Sequence, residues 1–184
     1  YTAGAAVKWL RDGLKLIRSA EETETLARSV KDTGGVYFVP AINGLATPDW
    51  DQSARGAFLG MTGGTTRAHL ARAVLESAAL QVACCCRIMS DTSGTRLMAL
   101  DAVGGMTANS FLMQLQADLL GIPVRLPAQT EPAYGTAVLA AAAIGRGPGM
   151  ESIAQLNPPV RQYEPRMGEE ERLERIHAWR YAVE

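Results

Sequence analysis

Val103-Gly104-Gly105-Met106-Thr107-Ala108-Asn109-Ser110-Phe111-Leu112-Met113-Gln114 is the stretch that decides the predicted fold. An apolar run at residues 97–100 leads into it, two glycines turn the chain, and a periodic segment follows. Apolar side chains recur there at helical spacing and polar ones take the other face. The apolar face holds Phe111, Leu112, Leu115 and Leu119, and the polar face holds Gln114, Gln116 and Asp118. The stretch therefore predicts a strand, a glycine turn and a helix.

The two glycines give this turn a possible role in binding. Gly104 and Gly105 can adopt a positive φ and carry no side chain, so a flat ligand can approach the backbone. Thr107 or Asn109 can cap the following helix, whose N-terminus favours an anionic group. A tight turn without a ligand explains this motif equally well. Further glycines near helix starts, around Gly4 and Gly135, extend the pattern to an α/β domain suited to a nucleotide.

Composition narrows the function classes. The 184 residues suffice for one good-sized domain and are 47% hydrophobic and 20% charged, which is typical of globular proteins. The formal net charge of -1 gives no electrostatic footprint for nucleic acid or an anionic membrane. No apolar run approaches the roughly 20 residues that span a bilayer. We therefore expect neither nucleic acid nor a membrane as a partner.

The three cysteines are consecutive, at positions 84–86. An odd number in one cluster is not a disulfide framework, so a reducing, cytoplasmic location is expected. Three successive positions of a helix point about 100° apart and cannot converge on one metal ion. Packing in or near the core is the favoured interpretation, and no metal site is predicted.

The rest of the chain alternates helices with short strands, which indicates an α/β fold. Helices are predicted at residues 4–16, 20–30, 65–89, 133–144 and 169–183, and strands at 36–39, 57–60 and 124–126. The helix at 4–16 directs Val7, Leu10, Leu14 and Ile17 inward. The alanine-rich helix after Gly135 is expected to be buried on most faces. Residues 41–66 are predicted to be rich in loops, and residues 151–168 are predicted to form a tail. The terminal amphipathic helix, 169–184, buries Leu173, Ile176 and Val183 and leaves a solvated charged face.

Common catalytic motifs are absent from the sequence: it has no G-x-x-x-x-G-K-[ST] loop and no G-x-S-x-G. His69 and His177 lie far apart on predicted helices and are interpreted as satisfied or solvated side chains. Glu76 is interpreted as a helix-face charge or cap partner rather than a base. The chain opens at Tyr1 on what reads as the middle of a larger protein, so a fragment or separate domain is expected.

Several blocks of residues resemble glycerol kinases, of the FGGY type of carbohydrate kinase. They include Tyr37-Phe38-Val39-Pro40-Ala41, Pro48-Asp49-Trp50, Gly60-Met61-Thr62, Arg72-Ala73-Val74-Leu75-Glu76-Ser77 and Ala178-Trp179-Arg180-Tyr181-Ala182-Val183. The most specific match is Gly104-Gly105-Met106-Thr107-Ala108-Asn109, followed by 112–118 and Gly121-Ile122-Pro123-Val124. The resemblance covers essentially the whole chain, and xylulokinases and ribulokinases share only parts of it.

The resemblance implies an actin-like (ribonuclease-H-like) ATPase domain, incomplete at its N-terminal end. Residues 1–184 would form the C-terminal, nucleotide-binding domain of an enzyme that uses ATP and Mg²⁺ to phosphorylate glycerol to glycerol 3-phosphate, leaving ADP. Carried over by position, the residues near the nucleotide are Gly4, Lys8, Gly105, Asn109 and Gly135. The polyol site and the catalytic aspartate belong to the missing N-terminal domain, so no catalytic residue is expected here. The other implied partners are glycerol, ATP and a second subunit of a homo-oligomer.

Three positions depart from the family pattern. Val103 stands where aspartate is usual before the glycines, although Asp101 lies two residues earlier; Lys8 replaces a glutamine, and Asp49 replaces a tyrosine. These changes keep two alternatives open: a non-catalytic nucleotide-binding or scaffold paralogue, and a kinase for another polyol or sugar such as xylulose.

Overall fold

The computed structural model describes residues 3–145 and 157–184. The elements in chain order are α1 (Ala3–Asp12), α2 (Glu22–Ser29), β1 (Tyr37–Val39), β2 (Ala57–Leu59), α3 (Arg67–Ser93), β3 (Leu100–Asp101), a 3₁₀ turn (Gly105–Ala108), α4 (Ser110–Leu120), β4 (Val124–Pro127), α5 (Pro132–Ala143), β5 (Pro159–Tyr163) and α6 (Glu169–Val183). This alternation confirms the α/β prediction.

The long helix α3 lies at the centre of the core and packs against α1, α2, α4, α6 and β1. At its start, the Thr66 N–H donates to His69 Nδ1 at 3.1 Å, so His69 is a capping partner. At its end, Gly94 takes the left-handed conformation with φ 64°. Small side chains such as Ala71 and Ala79 are buried, which lets the neighbouring helices approach closely.

By length and composition alone, α3 is apolar enough to cross a membrane. The sequence prediction missed this because it considered uninterrupted apolar runs. In the fold, 61% of the apolar window of α3 is buried inside the domain, as in the core helix of a globular protein.

Two small sheets flank the helices. β1 and β2 pair antiparallel with Phe38 opposite Phe58. β3 runs parallel to β4, which pairs antiparallel with β5. Of the apolar run at 97–100, only Leu100 lies in a strand, the two-residue β3. Residues 157–163 of the expected tail contain β5. Its first four residues are exposed, so the sequence lacks the alternation of buried and exposed side chains that would have predicted a strand.

The helix predicted at 4–16 ends at Asp12 in the structure. The N–H groups of Gly13 and Leu14 both donate to Trp9 O, and Lys15 takes a φ of 56°, so the chain leaves the helical path. Leu14 is consequently exposed and not buried as predicted, whereas Ile17 reaches the core from beyond the helix.

The alanine-rich helix α5 was predicted to be buried, and this prediction is wrong. None of the α5 residues whose exposure the structure describes is buried. Alanine has the highest helix propensity, so an alanine-rich sequence forms a helix whether or not it is covered. Gly135 lies inside α5, near its start.

The terminal helix α6 has its predicted start and end, but its inward face differs. Trp179 and Ile176 are buried, whereas Leu173 and Val183 are only half-buried. Its charged face is not simply solvated. Arg175 Nη2 lies 2.6 Å from Glu76 Oε2, and Arg180 Nη1 lies 2.7 Å from Asp49 Oδ1, which fixes α6 to the rest of the fold.

The polar face predicted for α4 is wrong at one position. Gln116 is buried, and its Nε2 donates to Ala79 O of α3 at 3.1 Å. Because α4 packs against α2, α3 and α6, a residue outside the predicted apolar stripe also meets protein.

Candidate functional site

A depression lies between α1, the start of α2 and the 3₁₀ turn. Its larger part measures about 440 Å³. A smaller adjoining part shares Val7 and Gly105 with it and reaches Asn109. We call both parts together the Gly105 cleft; it is lined by Gly4, Val7, Lys8, Arg11, Ala20, Glu21, Thr23, Glu24, Gly105, Met106, Ala108 and Asn109. Four of the five residues singled out in the sequence therefore gather here, and Gly135 does not.

The two adjacent glycines differ in what they allow. Gly104 has φ 99°, a conformation that L side chains rarely adopt. Gly105 does not have a positive φ, so the prediction for this residue is wrong. A Cβ built on Gly105 would meet no atom within 4 Å, which means that the space above this residue is open. Neither backbone conformation nor packing requires glycine at position 105.

The side chain of Asn109 is engaged within the protein. Its Oδ1 accepts from Leu112 N at 2.9 Å, which makes Asn109 the N-cap of α4. Its Nδ2 donates to Thr23 Oγ1 of α2 at 3.3 Å. Thr107, the other predicted cap, instead donates its hydroxyl to Gly104 O. Asn109 thus borders the cleft and also joins α4 to α2.

The N-terminus of α4 already holds an anion, and that anion is Glu24. Glu24 Oε2 accepts from Ser110 N at 3.0 Å, and Oε1 accepts from Phe111 N at 3.3 Å. Together with the Asn109 cap, these bonds satisfy the first three amides of α4. The helix dipole does favour a negative group here, as predicted, but the group belongs to the chain.

Hydrogen bonding keeps Glu24 charged. Burial is the largest single effect and raises its pKa, but hydrogen bonds from Ser110 and Arg28 together outweigh it, so the pKa is lowered overall. Arg28 donates to Glu24 Oε1 from Nε at 3.0 Å and from Nη2 at 2.9 Å.

Of the departures from the family pattern, the structure bears on Val103 and Asp49. Asp101 makes two hydrogen bonds to Arg125 across the sheet, at 2.7 and 2.9 Å, so it is not free to replace the aspartate absent at Val103. Val103 is 58% exposed. Asp49 is paired with Arg180 of α6.

The cysteines and Glu76 are structural. Cys84 and Cys86 are buried and Cys85 is half-buried, as predicted, and burial raises the pKa of the Cys84 and Cys86 thiols. Glu76 is buried between Arg72 and Arg175 and lies outside the Gly105 cleft. Within residues 3–145 and 157–184 no group of three or more His, Cys, Asp or Glu side chains could hold a metal ion.

Thr23, Glu24 and Met106 line the cleft but were not identified from the sequence. Glu24 and Ser110 are 86 residues apart, and no local pattern marks such a pair. The only available signal was the acidic first turn of α2, which holds Glu22 and Glu24.

Comparison with known sequences gives a consistent match. The model of the FGGY family of carbohydrate kinases, C-terminal domain, matches residues 1–144. A glycerol kinase from Nitratidesulfovibrio vulgaris is 50% identical over 185 aligned residues, covering 100% of this chain and 37% of that protein. This chain thus spans little more than a third of the length of the curated relatives it matches.

Solved structures give the same picture. A Plasmodium falciparum glycerol kinase with ADP aligns with a TM-score of 0.89 and 32% identity, covering 99% of this chain and 36% of that one. A xylulose kinase from Rhodospirillum rubrum aligns with a TM-score of 0.81 and 27% identity, covering 97% of this chain and 37% of that one.

Proposed function

Because the chain belongs to the FGGY family of carbohydrate kinases, with the actin-like ATPase fold of its structural neighbours, we propose that it is the nucleotide-binding domain of a glycerol kinase. The reaction would transfer the γ-phosphoryl group of ATP to a glycerol hydroxyl. The observation that carries the proposal is the 50% identity with a glycerol kinase over the whole chain. Identity with the xylulose kinase is 27%, which makes xylulose the less favoured substrate.

The Gly105 cleft is the proposed site for ADP or ATP. Its volume of about 440 Å³ falls within the range of roughly 300–1,000 Å³ that is usual for ligand pockets. Gly105 leaves room for the adenosine part to pass close to the backbone, and Gly4 borders the same space from α1. Lys8 is exposed at the rim and would place a positive charge near the phosphates.

The geometry changes two of the contacts expected from the sequence, those of the phosphates with the α4 N-terminus and of the nucleotide with Asn109. The phosphates do not take the first amides of α4, because Glu24 and Asn109 occupy them. Asn109 retains one amide hydrogen and one lone pair for a ligand after its two internal bonds. Gly135 is placed near the nucleotide only by the family resemblance.

The described residues do not form a Mg²⁺ site. We therefore propose that Mg²⁺ is held by the nucleotide phosphates and by groups outside this chain, and we assign no ligand to it here. Phosphoryl transfer depends on positioning and charge stabilisation from both sides of the site. The coverage of about 37% in the relatives supports a partner N-terminal domain that brings the polyol site and the catalytic aspartate.

A coupled ADP-release assay tests the proposal. The full polypeptide carrying this chain should phosphorylate glycerol and use xylulose poorly, and residues 1–184 alone should give no more turnover than a boiled control. Efficient phosphorylation of xylulose would refute glycerol as the proposed substrate and favour xylulose. Turnover by residues 1–184 alone would refute the division of labour between two domains.

A non-catalytic role is the second candidate, favoured by Val103 and by the engagement of Asp101 with Arg125. It predicts calorimetric binding of ADP by the full polypeptide with no phosphorylation of any polyol. The free cysteines support the proposed cytoplasmic location. Exposed apolar residues such as Leu139, Ile144 and Met98 support the proposed homo-oligomer.

A further inference from the structure

The wall of the Gly105 cleft depends on one carboxylate. Glu24 on α2 accepts two backbone N–H groups from the first turn of α4, and it also accepts the Ser110 hydroxyl at 2.5 Å. Only about a quarter of the Glu24 side chain is exposed. Hydrogen bonds to a charged acceptor are roughly twice as strong as neutral ones, so this contact strongly fixes the two helices relative to each other.

Neighbouring contacts reinforce the same joint. Arg28, one turn along α2, donates to Glu24 and to Ser110 Oγ at 3.0 Å. Its guanidinium also lies 5.6 Å from the centre of the Phe111 ring. On the cleft side of Glu24, Thr23 Oγ1 accepts from Asn109 Nδ2. We call this set of contacts between α2 and the start of α4 the Glu24 clamp; its residues are Thr23, Glu24, Arg28, Asn109, Ser110 and Phe111.

The 3₁₀ turn that carries Gly105 has one residue, Met106, that packs partly buried against the core. None of its four residues is buried. Its Met106 approaches α1, where a Cβ on Gly4 would lie 4.0 Å from Met106 Cγ, which is an ordinary contact. Three anchors therefore set the position of the turn: Met106 itself, the hydrogen bond from Ala102 N to Arg125 O at 2.9 Å before it, and Asn109 and Ser110 after it. The clamp holds the last of these.

We propose that Glu24 is a positioning residue for nucleotide binding. It acts through Ser110 and Phe111 to keep the Gly105 turn at the distance from α1 and α2 that the nucleotide requires. The inference rests on the proposed function, since it concerns the same cleft.

Calorimetric titration of the full polypeptide with ADP tests this role in Glu24→Gln. Glutamine keeps the shape and one accepting oxygen but loses the charge, and its NH₂ group would face donors that one Glu24 oxygen now accepts. The dissociation constant for ADP should rise about tenfold, which corresponds to about 1.4 kcal/mol. The Michaelis constant for ATP should rise while that for glycerol stays unchanged, a split that general destabilisation would not produce.

Glu22→Gln is the matched control. Glu22 lies on the same helix, pairs with Arg67 at 3.2 Å, and accepts from Arg18 N at 2.7 Å. It does not line the Gly105 cleft. ADP affinity should change less than twofold in this variant, although both variants lose a comparable ionic contact.

Ser110→Ala is a second, milder variant that tests the Glu24 clamp. It removes only the hydroxyl, so it tests the clamp even where Glu24→Gln folds poorly, and it should weaken ADP binding about threefold. Combined with Glu24→Gln, it should add little, because both changes disrupt one joint. Failure of the parent protein to bind ADP would refute the proposed function. Binding by the parent, with Glu24→Gln and Ser110→Ala both no weaker than Glu22→Gln, would refute the role of Glu24.

Discussion

Gly104 and Gly105 are adjacent, yet substitution should affect stability at one and binding at the other. Gly104 has φ 99° and ψ 172°, so an alanine there is strained by about 1–3 kcal/mol, and Gly104→Ala should lower the free energy of unfolding by that amount. Gly105 has an ordinary φ and open space beyond its Cα. Gly105→Val should therefore change the free energy of unfolding by no more than about 0.5 kcal/mol, as for other surface substitutions.

For ADP binding the order should be reversed: the substitution at Gly105 should weaken binding strongly, and the substitution at Gly104 should weaken it little. The valine side chain at position 105 would project into the cleft where the adenosine part is proposed to lie. We expect the dissociation constant for ADP to rise at least tenfold, or about 1.4 kcal/mol, in a protein that is fully folded. The folded fraction of Gly104→Ala should bind within about threefold of the parent, because its added methyl group also meets no atom within 4 Å.

Denaturant unfolding and calorimetric titration with ADP, carried out on the same two variants of the full polypeptide, separate these effects. Unchanged ADP affinity in folded Gly105→Val would refute the assignment of the cleft to the nucleotide. A loss of stability in Gly105→Val as large as that in Gly104→Ala would refute the inference that the space above Gly105 is free.

Three further predictions concern stability, each measured by denaturant unfolding. Glu76→Gln should cost about 3–5 kcal/mol because it leaves Arg72 and Arg175 without their buried partner, whereas Asp101→Asn should cost less than about 1 kcal/mol at its exposed pair; equal losses would contradict this. The folded-state pKa of Glu24 is lowered from 4.5, so its stabilising effect is present above about pH 4.5 and is lost as the pH falls through the lowered value. The difference in stability between the parent and Glu24→Gln should shrink below about pH 4.5, and a constant difference would count against the charge. Trp179 is 0% exposed, so Trp179→Ala should cost about 3–5 kcal/mol. Trp179→Phe should cost far less, because phenylalanine keeps most of the ring volume and the indole N–H that it removes has no partner among the described residues; similar costs for the two variants would contradict this.

Features encoded by neighbouring residues were predicted well. The apolar spacing of α4 and its cap Asn109 lie within a few positions of each other, so α4 could be located from the sequence, and α3 was likewise predicted at 65–89. The glycine turn before α4 was likewise recognised from its two glycines, although only Gly104 has the positive φ.

Features that depend on distant residues were predicted poorly. Gln116 is buried because Ala79 of α3 supplies an acceptor for it, and the periodicity of α4 contains no information about α3. The prediction that α5 is buried failed for the same reason, because a high alanine content indicates helix propensity and does not indicate whether other elements cover the helix. For the candidate site, the family resemblance identified Gly4, Lys8, Gly105 and Asn109, whereas the role of Glu24 required coordinates.

The Glu24 clamp also has a consequence during synthesis. At a synthesis rate of about 5–20 residues per second, Ser110 leaves the ribosome roughly 4–17 s after Glu24, because 86 residues separate them. During that interval the α2 carboxylate has no α4 amides to bind, although α2 can already pack against α3, whose Arg72 donates to Ala27 O and Val30 O. A nascent chain halted before Ser110 should therefore hold α2 on α3 and still lack the Gly105 cleft.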